Sequence, residues 1–515
     1  MIPIPAILPR PAVLQPTDAQ FLLDAKTAIV APKPLDRIGR MLQGYLKGTE
    51  FPLPLQSRSR KGAIRLKIDK SRQDLGDEGY TLDVSADAIE ICAAKPAGVF
   101  YGVQTLRQLL PASLYGGRSA GPLTVPGVHV EDRPRFVWRG AHLDVCRHFM
   151  PKEFLFRYVD LLALHKLNTF HLHLTDDQGW RIEIKRYPKL TSVGGWRKET
   201  MAGHYREQKW DGTPHGGYYT QEDLKQLVAY AKDRFVNIVP EIEMPGHAQA
   251  AIAAYPELGN LSTPLEVGTR WGVIENIANV EDSTIKFFQN VLDETMKIFP
   301  SKFIHVGGDE APKKQWQESP RVQARIKDLG LKDEHEMQSW FIRQMDAHLA
   351  KKGRRLIGWD EILEGGLAPG ATVMSWRGEE GGIAAAKSGH DVVMAPNPFT
   401  YFDFYQGDPK TEPLAIGGRL PLSKAYSFEP IPAVLTAEEA KHVLGAQGQL
   451  WTEYIDSPAK LEYMAFPRLS ALSEVLWSPK EGKSYDEFLV RLRPHLERLR
   501  SLGVNFREPE ELRGR

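Results

Sequence analysis

From residue 139 onward the chain alternates short apolar runs, rich in β-branched residues, with longer stretches of helical periodicity, and it does so eight times. The runs fall at 140–144, 169–174, 237–241, 303–306, 355–359, 372–376, 391–395 and 446–450. Helical spacing is read over 152–165, 221–234, 282–298, 334–351 and 459–476. Parallel neighbours need a long crossover, usually a helix, and strands that are apolar throughout are covered on both faces. Eight such units predict an α/β fold of one kind, a closed (β/α)₈ TIM barrel, which needs roughly 250 residues or more. A chain of 515 residues leaves room for a second unit. Residues 63–68, 80–85 and 88–91 alternate like half-buried strands, and 97–110 reads as a helix after Pro96. A smaller α+β accessory domain is therefore expected over 1–132, ahead of a barrel domain over 133–515.

Chemistry collects just past the C-terminal end of nearly every run, the face on which barrel enzymes build their active sites. The first run ends at Asp144 and continues to Arg147-His148, and the second leads into Thr175-Asp176-Asp177-Gln178-Gly179-Trp180. The third leads into Glu241-Ile242-Glu243-Met244-Pro245-Gly246-His247, and the fourth into Gly307-Gly308-Asp309-Glu310. The remaining four supply Trp359-Asp360-Glu361, Trp376-Arg377, Tyr401-Phe402-Asp403 and Trp451-Thr452-Glu453. Carboxylates beside flat aromatic rings suit a sugar, which offers hydroxyls at its rim and C–H groups on its faces.

Asp309-Glu310 poses a geometric problem. Adjacent residues of a strand point to opposite faces, so both carboxyls reach one substrate only if the strand has ended, and Gly307-Gly308 supplies such a break. A retaining glycosidase usually places two carboxyl groups about 5–5.5 Å apart, one as acid/base and one as nucleophile. Sequence neighbours do not obviously satisfy that spacing. One is then expected to be the acid and the other to support a nucleophile carried by the substrate.

The bulk numbers narrow the partners. With 66 basic and 65 acidic side chains there is no global field for nucleic acid or an anionic membrane. No apolar run approaches the roughly 18 residues of a membrane-spanning helix. Two cysteines, Cys92 and Cys146, provide no disulfide framework. The first residues lack the basic segment and apolar stretch of a signal peptide. The expectation is a cytoplasmic protein, or a periplasmic or secreted one if a signal has been removed.

Three segments together resemble glycoside hydrolase family 20, the β-N-acetylhexosaminidases. They are the run from His171-Leu172-His173 to Trp180, Glu243-Met244-Pro245-Gly246-His247, and His305-Val306-Gly307-Gly308-Asp309-Glu310. The likeness spans roughly residues 133–477 and, more loosely, the first domain. It implies an exo-acting, retaining enzyme that removes terminal N-acetylglucosamine or N-acetylgalactosamine, the substrate's acetamido oxygen serving as nucleophile. It further implies that Asp309 orients and stabilises the acetamido group, Glu310 is the general acid/base, and Tyr401 donates to the acetamido oxygen. Trp359, Trp376 and Trp451 would wall the pocket, and Arg147, Asp403 and Glu453 would hold ring hydroxyls. Asp176 and His247 would support the acidic pair from beneath, with Asp177 a further member of that network or a cap for the following loop. Asp309 is expected to push the Glu310 carboxyl pKa upward.

Other readings of the same residues are a metal-dependent barrel hydrolase, a catalytically inactive sugar-binding barrel, and a thiol enzyme. His171 and His173 share one face of a strand, as metal ligands or as histidines hydrogen-bonded inside the barrel. Cys146 beside Arg147 fits an activated thiol or a small buried residue, and His148 reads as structural. The expectation is no metal and no cofactor, a carbohydrate substrate, and an insertion at 196–219 that shapes the pocket rim or a homodimer contact.

Overall fold

The computed structural model describes residues 3–49, 51–57, 61–117 and 122–513. The first unit is a mixed seven-stranded sheet. Its strands are β1 (Val13–Leu23), β2 (Ala28–Val30), β3 (Leu55–Gln56), β4 (Ala63–Ile68), β5 (Tyr80–Val84), β6 (Ala88–Ala93) and β7 (Leu123–Asp132), ordered β1-β7-β5-β6-β4-β2-β3. Helices Asp36–Tyr45 and Pro96–Gln108 pack against it. Pro96 opens its helix at a first-turn position, where its missing N–H costs no hydrogen bond.

The second unit is a closed barrel of eight parallel strands. They are Trp138–Asp144, Thr169–His173, Asn237–Glu241, Phe303–His305, Arg355–Trp359, Thr372–Ser375, Val392–Met394 and Val443–Gly448. Each pairs with the next in sequence, and the eighth closes on the first. The barrel expected from periodicity is therefore present, with two local differences. The eighth strand starts earlier and stops before Leu450-Trp451; Gly445 lies inside it at φ 148°, beside a register irregularity at Val392/Val393, which weakens the strand pattern. The helix expected over 459–476 is two helices, Pro458–Ala465 and Arg468–Trp477. Pro467 separates them because it has no N–H to donate and its ring crowds the preceding turn.

A buried polar cluster joins the units. Lys166 Nζ lies 2.9 Å from Asp132 Oδ2, and the same carboxylate accepts from Tyr80 OH at 2.8 Å and Trp477 Nε1 at 2.9 Å. Lys166 also donates to Tyr80 OH at 2.8 Å. Asp132 ends β7 and Trp477 ends a barrel helix, so the sheet is seated where these buried charges are paired. Leaving one unpaired would cost several kcal/mol. No described helix is long and apolar enough to cross a membrane.

Candidate active site

At the C-terminal mouth of the barrel lies a pocket of about 280 Å³. Arg147, His247, Asp309, Glu310, Trp359, Trp376, Tyr401, Asp403, Trp451 and Glu453 all contribute to its lining. These are ten of the eleven residues expected from the sequence; Asp176 is buried underneath. They arrive from seven different strand ends, which only barrel closure brings together.

The fourth strand ends at His305, and the chain then turns through Gly307 at φ 66° and Gly308 at φ 89°. L-residues adopt that region at a steric cost. At Gly307 a Cβ would also collide with the Glu243 carboxyl group. Glu310 itself sits at φ 43°, a strained value for a non-glycine residue and one found disproportionately at functional sites. The turn abolishes strand alternation, so consecutive carboxylates line one pocket.

His247, also left-handed at φ 48°, lies beneath the pair. Its Nε2 is 3.6 Å from Asp309 Oδ2 and 3.5 Å from Glu310 Oε2. Its Nδ1 is 3.1 Å from Asp177 Oδ2 and 3.2 Å from Asp176 Oδ1. Burial opposes charge on this imidazole, but Asp176, Asp177 and Glu310 hold its pKa well above the usual histidine value. Asp177 also accepts from the Gln249 N–H at 3.0 Å, so it serves both the network and the following loop. Asp176 accepts from Arg147 at 2.9 Å and His173 at 2.8 Å.

The electrostatic pattern corrects one expectation. Burial raises the Glu310 carboxyl pKa, yet the hydrogen bond and charge of His247, with Arg147, leave it below its usual value. Asp309 moves the other way. Burial, then the Glu241 and Glu310 charges, push it up to about 6 against the pull of His247. The half-exposed Glu310 faces solvent and a cation, whereas Asp309 is enclosed.

A deeper layer orients the walls. Glu241 accepts from Trp359 Nε1 at 2.8 Å and lies 2.6 Å from His173 Nδ1, 3.0 Å from His171 Nε2 and 2.8 Å from His305 Nδ1. Burial disfavours charge on His173, but Glu241 and Asp176 at its two ring nitrogens push it up to about 10. The histidines that suggested a metal pair are thus tied to a buried carboxylate that also fixes a pocket tryptophan. Asp144 accepts from the N–H groups of Cys146, Arg147 and Thr452, fastening the first strand end to the eighth. The Cys146 thiol is fully buried and pushed well up by that burial, against thiolate chemistry. His148 Nδ1 is bonded to the Thr452 carbonyl at 2.6 Å.

Trp359 and Trp451 lie with ring centroids 5.8 Å apart, and Trp376 stacks on Tyr401 at 6.1 Å. Trp376 Nε1 donates to the Glu361 carboxyl at 3.0 Å. Burial, with the charge of Asp309, pushes Glu361 up to about 8. At the opposite end Arg147 Nη1 is 4.0 Å from Glu453. Burial raises the Asp403 and Glu453 pKa values, with Glu453 adding to the rise at Asp403.

Sequence reasoning missed Gly272, Val273, Asn397, Phe404 and Ile416, which also line the pocket. Asn397 follows Pro396 beyond the seventh strand, a strand-end signal that was legible. Phe404 directly follows the Tyr401-Phe402-Asp403 segment and carried the same signal, whereas Gly272, Val273 and Ile416 come from irregular loops with no periodicity to mark them.

Comparisons with known proteins match both units of the fold to one family. Residues 136–480 match the model of the glycosyl hydrolase family 20 catalytic domain, and residues 4–133 match domain 2 of the same family. A β-hexosaminidase of Porphyromonas gingivalis is 45% identical over 510 residues, covering 98% of this chain and 64% of that protein. The chain thus spans just under two thirds of that relative's length. The family 20 β-N-acetylhexosaminidase of Streptomyces coelicolor superposes with a TM-score of 0.87 at 33% identity, covering 99% of both chains. An exo β-N-acetylglucosaminidase of Vibrio harveyi, solved with N-acetylglucosamine, gives 0.87 at 35% identity over 99% of this chain and 80% of that one. With the barrel domain and the preceding sheet domain both matched over nearly the whole chain, the chain belongs to glycosyl hydrolase family 20.

Proposed function

We propose that the protein is an exo-acting, retaining β-N-acetylhexosaminidase. The observation that carries the reading is the left-handed turn that puts Asp309 and Glu310 into one pocket walled by Trp359, Trp376, Trp451 and Tyr401. The β-hexosaminidase relatives support it. Residues 1–132 are assigned as the accessory domain and 133–515 as the catalytic barrel.

In this reading the acetamido oxygen of a terminal N-acetylhexosamine attacks its own anomeric carbon. The C–O bond to the leaving sugar breaks while Glu310 gives that oxygen a proton. The product is a bicyclic oxazolinium, and family 20 is among the exceptions to the two-carboxylate rule. Asp309 accepts from the acetamido N–H and stabilises the positive charge as it develops, an interaction stronger in the transition state than in the ground state. Tyr401 stays protonated, since burial raises its pKa well above the usual value, and donates to the acetamido oxygen. Water then bonds to the anomeric carbon as the bond from that carbon to the acetamido oxygen breaks, and Glu310 takes the proton this water gives up. Arg147, Asp403 and Glu453 hold ring hydroxyls, while Asp176 and His247 position the acidic pair. The decisive assay is turnover of a chromogenic N-acetyl-β-glucosaminide against the matching β-glucoside. No hydrolysis of the first, or equal hydrolysis of both, would overturn the reading.

The pH dependence follows from the pair. Productive enzyme holds one proton between the two carboxyls, on Glu310, with Asp309 ionised. In the free enzyme Asp309 is the higher of the two, at about 6. The pair therefore gains its second proton as pH falls through the low Glu310 value and loses its only one as pH rises through about 6. Interacting sites titrate as a unit, so kcat/KM is expected to be bell-shaped, with its alkaline limb near pH 6. A flat profile from pH 5 to 8 would refute this assignment.

Product release gives a further expectation. A pocket closed by side chains from seven strand ends accepts a chain terminus only. A defined β-linked N-acetylglucosamine oligosaccharide should lose one sugar at a time from its non-reducing end. Early fragments of intermediate length in chromatography of the products would contradict the closed pocket.

A further inference from the structure

The insertion at 196–219 carries an antiparallel hairpin in which Met201 pairs with Trp210 and Ala202 with Lys209. Directly opposed residues of such a pair project to the same face. Met201 is buried against Trp271, Tyr454 and Ile416, and Ile416 lines the pocket. Trp210 therefore stands on the rim side of the hairpin, and it is 38% exposed. Its Nε1 donates to Thr269 Oγ1 at 3.2 Å, while the Thr269 carbonyl accepts from the Met201 N–H at 3.0 Å. Thr269 leads within three residues to Gly272-Val273, which line the pocket. Tyr205, between the two hairpin strands, is 37% exposed, and its N–H donates to Tyr454 OH at 2.8 Å. The Trp210 ring is thus held at one edge by a hydrogen bond and Tyr205 is held by its backbone, and both rings keep much of their surface in solvent.

We propose that this hairpin is the platform for the reducing-side sugars of an oligosaccharide whose terminal residue occupies the pocket. The inference rests on the reading of the pocket as an N-acetylhexosamine site. Sugars beyond the cleaved bond leave through the mouth, and the rim beside Gly272-Val273 continues into Trp210 and Tyr205. A ring anchored at one edge, as Trp210 is, loses little freedom on stacking against the apolar face of a pyranose. The platform favours linear β-linked N-acetylhexosamine chains of three or more units over substrates with a small leaving group.

The test compares β-linked N-acetylglucosamine trimer and tetramer with N-acetyl-β-glucosaminyl fluoride, whose leaving group cannot reach the hairpin. Trp210→Ala is expected to lower kcat/KM on the oligosaccharides by about fivefold to tenfold, through KM, as befits loss of one stacked ring. Activity on the fluoride should stay within about twofold on the same scale. Trp210→Phe, which keeps a ring but loses the bond to Thr269, should retain most of the oligosaccharide activity. Equal losses on both substrates, or loss in Trp210→Phe equal to that in Trp210→Ala, would make the hairpin a mere support for the rim and overturn the proposal. An unchanged oligosaccharide KM in Trp210→Ala, or dissociation of a dimer by that substitution in light scattering, would overturn it as well. Failure of the unaltered protein on every substrate would instead sink the hexosaminidase reading.

Discussion

Asp309→Asn is expected to abolish most turnover while making the folded protein more stable at pH 7. The loss in kcat should be about 10²–10³-fold, or roughly 2.7–4 kcal/mol, the usual cost of removing one preorganised group aimed at developing charge. Asparagine keeps the shape and one acceptor, but it cannot offer a full negative charge to the oxazolinium. The stability change has the opposite sign because the folded state lifts the Asp309 pKa from its ordinary 3.8 to about 6. A carboxyl whose folded pKa exceeds its unfolded one costs stability in full above the folded value; the cost shrinks as pH falls below that value and is gone below the unfolded one. Thermal unfolding should therefore show a higher Tm for the variant at pH 7, with the gap closing below about pH 6. The alkaline limb of the variant's kcat/KM should also leave pH 6, because the group that sets it is gone. A thiazoline analogue of the sugar should bind the unaltered enzyme tightly, since it resembles the bicyclic intermediate. A sugar ester trapped on Asp309 or Glu310 and found by mass spectrometry would overturn the acetamido nucleophile.

Much of this site was legible because a barrel writes its chemistry in one place, the residues just after each strand. Asp309, Glu310, Tyr401 and the three tryptophans follow that rule, and the Gly307-Gly308 break announces that the strand has ended. The direction of the acid pair's titration was not legible. It depends on which carboxyl faces solvent and on His247, contributed by a different strand end, neither of which can be read from adjacency. Glu241 shows the same limit. Its position within the third strand marks it as an inward carboxylate, but its three histidine partners and Trp359 come from three other strands. Domain seating was equally hidden. Lys166, Asp132 and Trp477 lie far apart in sequence, and nothing local pairs them. Pro467, by contrast, is visible in the sequence, and the apolar spacing that continues on both sides of it masks the break it makes between two helices.

Glu310→Gln is expected to split substrates by leaving group. Glutamine has no proton to give, so hydrolysis of oligosaccharides, whose leaving oxygen is a poor anion, should fall by about 10²–10⁴-fold, the usual worth of general acid catalysis. Activated aryl N-acetyl-β-glucosaminides need little protonation and should lose far less in the first chemical step. Their steady-state rate then becomes limited by opening of the oxazolinium, because the same residue activates water in that step. KM on the aryl substrate should fall together with kcat, as expected when an intermediate accumulates. The substitution also removes the carboxylate 3.5 Å from His247 Nε2, one of the groups that keep that imidazole charged. Asp176 and Asp177 remain, so His247 should stay protonated and the pocket should keep its shape. A series of aryl leaving groups of graded acidity decides the matter. The unaltered enzyme should show a shallow dependence of kcat/KM on leaving-group pKa and the variant a steep one. If both slopes are equal, the proton comes from elsewhere, and Glu361, already raised to about 8 and bonded to Trp376, is the carboxyl to test next.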